Sequence, residues 1–241
     1  TSACVIETCT NSGSVTSTSD GELGFSFSTN KQTYVGGIIG HSSLGTITGC
    51  ANNGSVTAGG TIDNYVGGIS GYHKNAVIAN CVNEAVVSAV TNNKGIMGVV
   101  LSAGGIVGGE DEAGVQTDTK ISSCVNNGSV EVSGVAQNMY AGGIGGMLKN
   151  TPVSNSINNG DVSFTSALDG NTSDSYIGGI AGFSSNANST YQAKLTNCVN
   201  TGSVTIGEVG GGELYAGGIT GGCSSAISDC VNTGQVTNNG T

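Results

Sequence analysis

The sequence predicts an all-β protein: a parallel β-solenoid, a right-handed β-helix of about seven coils with three short strands per coil. Three observations carry that prediction. A frame Cys-x-Asn-x-Gly-x-Val recurs at Cys9, Cys50, Cys81, Cys124, Ser156, Cys198 and Cys230, with Ser156 once in the Cys place and Ala85 once in the Gly place. A second frame, aromatic-x-Gly-Gly-Ile-x-Gly, alternates with it at 34–40, 65–71, 102–108, 140–146, 176–182 and 215–221, with Ser102 replacing the usual Tyr. An apolar residue stands three before each start of the first frame: Ile6, Ile47, Ile78, Ile121, Val153, Leu195 and Ile227.

Each element follows from these frames. The first strand-like piece is Tyr-x-Gly-Gly-Ile-x-Gly, the second runs through the apolar residue to Cys, and the third is Gly-x-Val-x after an Asn turn. Successive frames lie 41, 31, 43, 32, 42 and 32 residues apart, within the range of roughly 20–50 residues typical of repeat architectures. The extra residues of the long repeats collect near 17–33, 88–101, 109–119, 163–175 and 183–194. Insertions that spare the strand frames are what surface loops tolerate. Val, Ile, Thr, Ser, Asn and Gly dominate, and none favours a helix interior. Equivalent strands would stack about 4.8 Å apart as parallel sheets, with the right hand set by the preference of parallel crossovers. The whole of 1–241 reads as one repeat domain, a mature or excised piece of a larger protein.

In such a stack every letter becomes a column. Ile and Val fill the core. Cys9, Cys50, Cys81, Cys124, Ser156, Cys198 and Cys230 form a core column in which the thiol acts as a small hydrophobe. Asn11, Asn52, Asn83, Asn126, Asn158, Asn200 and Asn232 form a structural ladder. Asn tolerates left-handed backbone, and stacked side-chain amides bond along a column.

Composition excludes several function classes. The chain has 6 Lys, no Arg and a net charge of -10, a poor basis for nucleic-acid binding or for anionic membranes. No run approaches the length of a transmembrane helix.

At "YVGGIIG" (34–40) and "GTITGCANNGSV" (45–56), and at their counterparts downstream, the chain resembles the GLUG-motif family of bacterial surface proteins. The resemblance spans Cys4 to Val236. It implies a secreted or cell-surface setting, extracellular and on bacteria, and a non-catalytic role. Such repeats also serve as accessory regions in immunoglobulin A1 metallopeptidases. The repeat itself carries no catalytic residue.

The residues agree with a non-enzyme. The 8 Cys include no Cys-x-x-Cys, and no His-Glu-x-x-His surrounds His41 or His73. Both His follow the Gly-Gly-Ile frame and are expected in exposed loops near one another. Cys4 and Cys223 lie off the column, where Cys9 and Cys230 are their nearest partners for pairing; otherwise reduced thiols are expected, because disulfide geometry is tighter than the stack. A glycan-active enzyme would use paired carboxylates, but no Trp is available as a sugar platform. No cofactor is expected, Ca²⁺ at the acidic loops being the one exception to test. Those loops hold Glu110, Asp111, Glu112 and Asp118, and Asp169, Asn171 and Asp174. Gly210–Gly212 lacks the Lys of a phosphate loop. A Thr column at Thr16, Thr57, Thr205 and Thr237 is broken by Ser88, Glu131 and Ser163, too incomplete for an ice-binding array. The tyrosines Tyr34, Tyr65, Tyr140, Tyr176 and Tyr215 should line one corner, as covering or as a partner-binding stripe.

The expected role is adhesion: loops on a rigid rod engaging a host or neighbouring-cell glycan or protein. A passive stalk, or a scaffold associating end to end into filaments, is the alternative.

Overall fold

The computed structural model describes residues 4–19, 32–91, 99–110, 120–166, 174–186, 193–207 and 212–239. The described residues form four parallel sheets of eleven, seven, seven and six strands. The repeat frames are in register throughout. Asn11, Asn52, Asn83, Asn126, Asn158, Asn200 and Asn232 align across one seven-stranded sheet. Val15, Val56, Val87, Val130, Val162, Val204 and Val236 align across the other. The tyrosines, with Ser102 among them, align across the six-stranded sheet. The apolar residues before Cys align in the eleven-stranded sheet.

Two features differ from the expected three pieces per repeat. The aromatic frame breaks at its Gly-Gly into strands of two different sheets, as in Gln32–Gly36 followed by Ile39–Thr48. The corner is closed by backbone bonds to the next repeat: the N–H groups of Ile38 and Ile39 both donate to the Ile69 carbonyl, at 3.1 and 3.0 Å. The supposed Asn turn is itself a two-residue strand, such as Ala51–Asn52. In two repeats a single ten-residue strand, Ile39–Thr48 or Ser70–Ala79, runs from the Gly-Gly corner to the residues before Cys. Elsewhere that stretch is divided, as in Val107–Glu110 and Lys120–Ser122, which both pair with Ser70–Ala79.

The column Asn residues do not take up left-handed backbone, contrary to expectation. That conformation falls one residue before each Cys frame, at Thr8, Gly49, Asn80, Ser123, Asn155, Asn197 and Asp229, with φ between 51° and 62°. The kink at this position turns the chain from the apolar strand into the Asn strand. Asn, Gly and Asp fill most copies because they carry the smallest penalty there.

The core has two main parts. Val and Ala of the Val sheet pack against Val66, Leu101, Ala103, Ala141 and Ile177 of the Tyr sheet. The buried cysteines pack with the Ile of each Gly-Gly-Ile and with the apolar residues before Cys. The second Gly of each Gly-Gly links the two frames. A Cβ at Gly105 would lie 2.2 Å from Asn126 Cγ, and one at Gly143 2.1 Å from Asn158 Cγ. Only a residue without a side chain lets the corner rest on the ladder.

Candidate functional site

The Asn ladder is built by one repeated hydrogen-bond unit. Each Nδ2 donates to the Oδ1 of the next Asn, from Asn11 to Asn52 at 2.8 Å and then at 2.7 Å through Asn83, Asn126, Asn158 and Asn200 to Asn232. The same Nδ2 donates its second hydrogen to the carbonyl two residues on, as from Asn126 to Gly128 at 2.7 Å. Five of these side chains, Asn52, Asn83, Asn126, Asn158 and Asn200, are fully buried. Both donors are used from Asn11 to Asn200, so polar amides occupy the interior with their donors satisfied. Nothing in this arrangement is positioned to act on a substrate.

The Cys column is equally self-contained. Cys50, Cys81, Cys124 and Cys198 are buried, whereas Cys4, Cys9 and Cys223 are exposed. Each column thiol donates to the carbonyl two residues before it, at 3.3–3.4 Å, as in Cys81 to Ala79 and Cys198 to Thr196. Ser156 donates likewise to Ser154 at 3.0 Å and accepts from the Cys124 N–H at 3.2 Å. Burial pushes the Cys198 thiol up to about 11 and raises that of Cys50, which keeps them protonated and poor as nucleophiles or metal ligands. All eight cysteines are free thiols, Cys4 and Cys223 included.

The tyrosine corner is divided. Tyr140, Tyr176 and Tyr215 stack with centroids 5.6 and 5.1 Å apart and interplanar angles of 5° and 12°. Tyr34, Tyr65, Tyr72 and His41 make a second cluster with tilted, edge-on and stacked contacts. Ser102 lies between the two groups and donates to the Gly108 carbonyl at 2.6 Å. Tyr176 donates to Asp174, at 3.4 Å, and Tyr215 to Glu213. Burial pushes Tyr140 up to about 12, and the bond to Glu213 does the same for Tyr215. These phenols therefore stay protonated. The Ser175–Leu214 pairing brings Asp174 and Glu213 to the same edge, where each carboxylate accepts from the tyrosine two residues along its own strand. The Thr column aligns as Thr16, Thr57, Ser88, Glu131, Ser163, Thr205 and Thr237, with Glu131 exposed in its middle.

His73 is a correction. It was expected in an exposed loop beside His41, yet it is fully buried within strand Ser70–Ala79. His41 aligns with Tyr72, and His73 with Ser42 and Glu110. The interposed Tyr72 shifts His73 by one residue, and a shift of one turns a side chain to the other face of its strand. Burial pushes its imidazole down to about 4, weakly opposed by the nearby Gly109 backbone. Of the proposed Ca²⁺ ligands, Glu110 is buried and Asp174 belongs to the tyrosine edge. Asp111, Glu112, Asp118, Asp169 and Asn171 lie outside the described residues, as do Gly210 and most of the predicted loops. Among the described residues, no group of three or more His, Cys, Asp or Glu is placed to hold a metal ion. Comparison with protein-family models, with curated proteins and with solved structures finds no match to this chain.

Proposed function

We propose that the chain is a non-catalytic binding module of a secreted or surface-attached bacterial protein, a rod that presents loops to a host or neighbouring-cell glycan or protein. The observation behind this reading is that the ladder holds its register across spacings of 31 and 43 residues alike. The added residues thus leave the scaffold unchanged and are free to vary as a recognition surface. The GLUG-like frames support the same setting. The rod is a right-handed solenoid of about seven coils, each with three main strands and a short Asn bridge. No step of catalysis is assigned, because the ladder amides and column thiols spend their hydrogen bonds on one another or on backbone and the edge carboxylates accept from Tyr176 and Tyr215.

A binding screen of the purified chain against glycans and extracellular-matrix proteins, with and without Ca²⁺, tests the reading. A saturable ligand lost when 167–173 or 187–192 is replaced by a short Gly-Ser link supports it. No ligand from a folded rod overturns it. The alternative, a stalk or end-to-end filament scaffold, draws on the in-register parallel pairing of each repeat frame with the next across all four sheets. Concentration-dependent growth in sedimentation, without ligand binding, would favour that second reading.

A further inference from the structure

The step Asn-Gly occurs at Asn53, Asn127, Asn159 and Asn239; the Gly after Asn239 lies outside the described residues. The step is chemically labile, because a glycine has no side chain to hinder attack by its nitrogen on the preceding carboxamide. Asn53 and Asn127 stand in the same stretch, Asn-Asn-Gly-Ser-Val, at 52–56 and 126–130. Local sequence therefore gives them the same reactivity, and only the fold can separate them.

The fold does separate them. Asn53, Glu84, Asn127, Asn159 and Thr201 each follow a ladder Asn and form one exposed column. Four of these side chains are tied together. Asn127 Nδ2 donates to Glu84 Oε1 at 2.9 Å, Asn159 Nδ2 to Asn127 Oδ1 at 2.8 Å, and Thr201 Oγ1 to Asn159 Oδ1 at 2.9 Å. The carboxamides of Asn127 and Asn159 are thus held along the column at both ends, toward neighbouring strands. The Asn53 side chain is exposed and makes no hydrogen bond among the described residues. It alone is unrestrained by a partner from turning toward its own glycine.

We propose that Asn53 is a site of spontaneous modification, deamidated in the folded chain ahead of Asn127 and Asn159, which the bonds of the exposed column protect. The Gly54 nitrogen attacks Asn53 Cγ, the Cγ–Nδ2 bond breaks, and ammonia leaves with the proton of the Gly54 N–H. A succinimide closes. Water opens it at either carbonyl, leaving aspartate or isoaspartate. Either product bears on the fold. The new carboxylate stands in register with Glu84, and like charges opposite one another on paired strands are destabilising. Isoaspartate also adds a carbon to the main chain beside Asn52, whose Nδ2 reaches the Gly54 carbonyl at 2.8 Å.

Peptide mapping by mass spectrometry tests the proposal, on the native full chain aged in mildly alkaline buffer and on the same chain unfolded in urea. In urea, Asn53 and Asn127 should convert at similar rates. In the native chain Asn53 should convert several times faster than Asn127 and Asn159. Glu84→Ala should speed conversion of Asn127 in the native chain, whereas Glu84→Gln, which keeps an acceptor oxygen, should not. Glu84 is exposed, so both variants should fold. Equal native rates at the three sites, native protection of Asn53 as strong as that of Asn127, or the same preference for Asn53 in urea overturns the proposal. So does an unchanged rate at Asn127 in Glu84→Ala.

Discussion

Two polar stretches lie buried among these stacked parallel sheets, and they are built on opposite principles. The Asn column repeats one residue whose side chain donates forward and accepts backward, so each strand satisfies the next. The Ser42–His73–Glu110 stretch places three different residues in register, and Ser42 and His73 make no side-chain bond to each other. A polar interior is stable in a stacked sheet when the repeated group is its own complement. Where the repeated group gives way to different residues, that complementarity is lost.

The largest effect should come from cutting the Asn column in its middle. Asn126→Ala removes two donated bonds and one accepted bond and leaves Asn83, Asn158 and the Gly128 carbonyl short of partners. We expect a loss of about 3–5 kcal/mol in denaturant unfolding. Asn232→Ala, at an exposed position with one bond donated to Gly234 and one accepted from Asn200, should lose only about 1 kcal/mol. Equal losses at the two sites would show that the amides do not act as a chain.

The second effect sharpens the other column. His73 has an ordinary value of 6.5 and a folded value of about 4. Between these the unfolded chain binds more protons than the folded one. Stability is therefore whole above about pH 6.5 and is lost as pH falls toward 4, by about 3 kcal/mol. Asp63, whose carboxyl is raised by burial, acts the other way: its folded state holds the proton more tightly, so its contribution is whole below the ordinary carboxylate value and is lost as pH rises from there through the raised folded one. Urea unfolding at pH 7, 5 and 4, with His73→Leu as the comparison, separates the two. The variant should lose the decline between pH 6.5 and 4; a decline of the same size in both proteins would remove His73 as its source.

A smaller effect concerns the kink that turns the chain into the Asn strand. Ser123 holds φ at 54° where other repeats use Asn, Gly or Asp. Ser123→Asn should add roughly 0.5–1 kcal/mol, seen as a rise in midpoint, whereas Asn80→Val should lower stability by more. The smallest effect is chemical. Iodoacetamide should label Cys4, Cys9 and Cys223 in the native chain and reach Cys50, Cys81, Cys124 and Cys198 only on unfolding. Labelling of the buried four at the rate of the exposed three would contradict a packed column.

Much of this was legible in the sequence because stacking turns repetition into contact. Seven copies of Asn at one frame position could hardly form anything but a column, and register followed from the frames alone. The split at Gly-Gly was hidden, since a strand and a tight corner both accept glycine, and the close approach of Asn126 to Gly105 exists only in three dimensions. The left-handed position was partly visible in Asn80, Asn155, Asn197, Gly49 and Asp229, but Thr8 and Ser123 concealed it. The buried column was missed for a simpler reason. His41 follows Gly40 directly, while Tyr72 separates Gly71 from His73, and that single residue changes which face the ring occupies.

The central claim is that the repeated Asn residues form one continuous, self-satisfying ladder, and hydrogen exchange of the Asn side-chain amides tests it most directly. In a nuclear magnetic resonance spectrum of the native chain, the Nδ2 protons of Asn52, Asn83, Asn126, Asn158 and Asn200 should exchange far more slowly than a free amide, and Asn232 should exchange fast. Rapid exchange at all of them, in a protein that is otherwise folded, would contradict the ladder and the stacked register built on it.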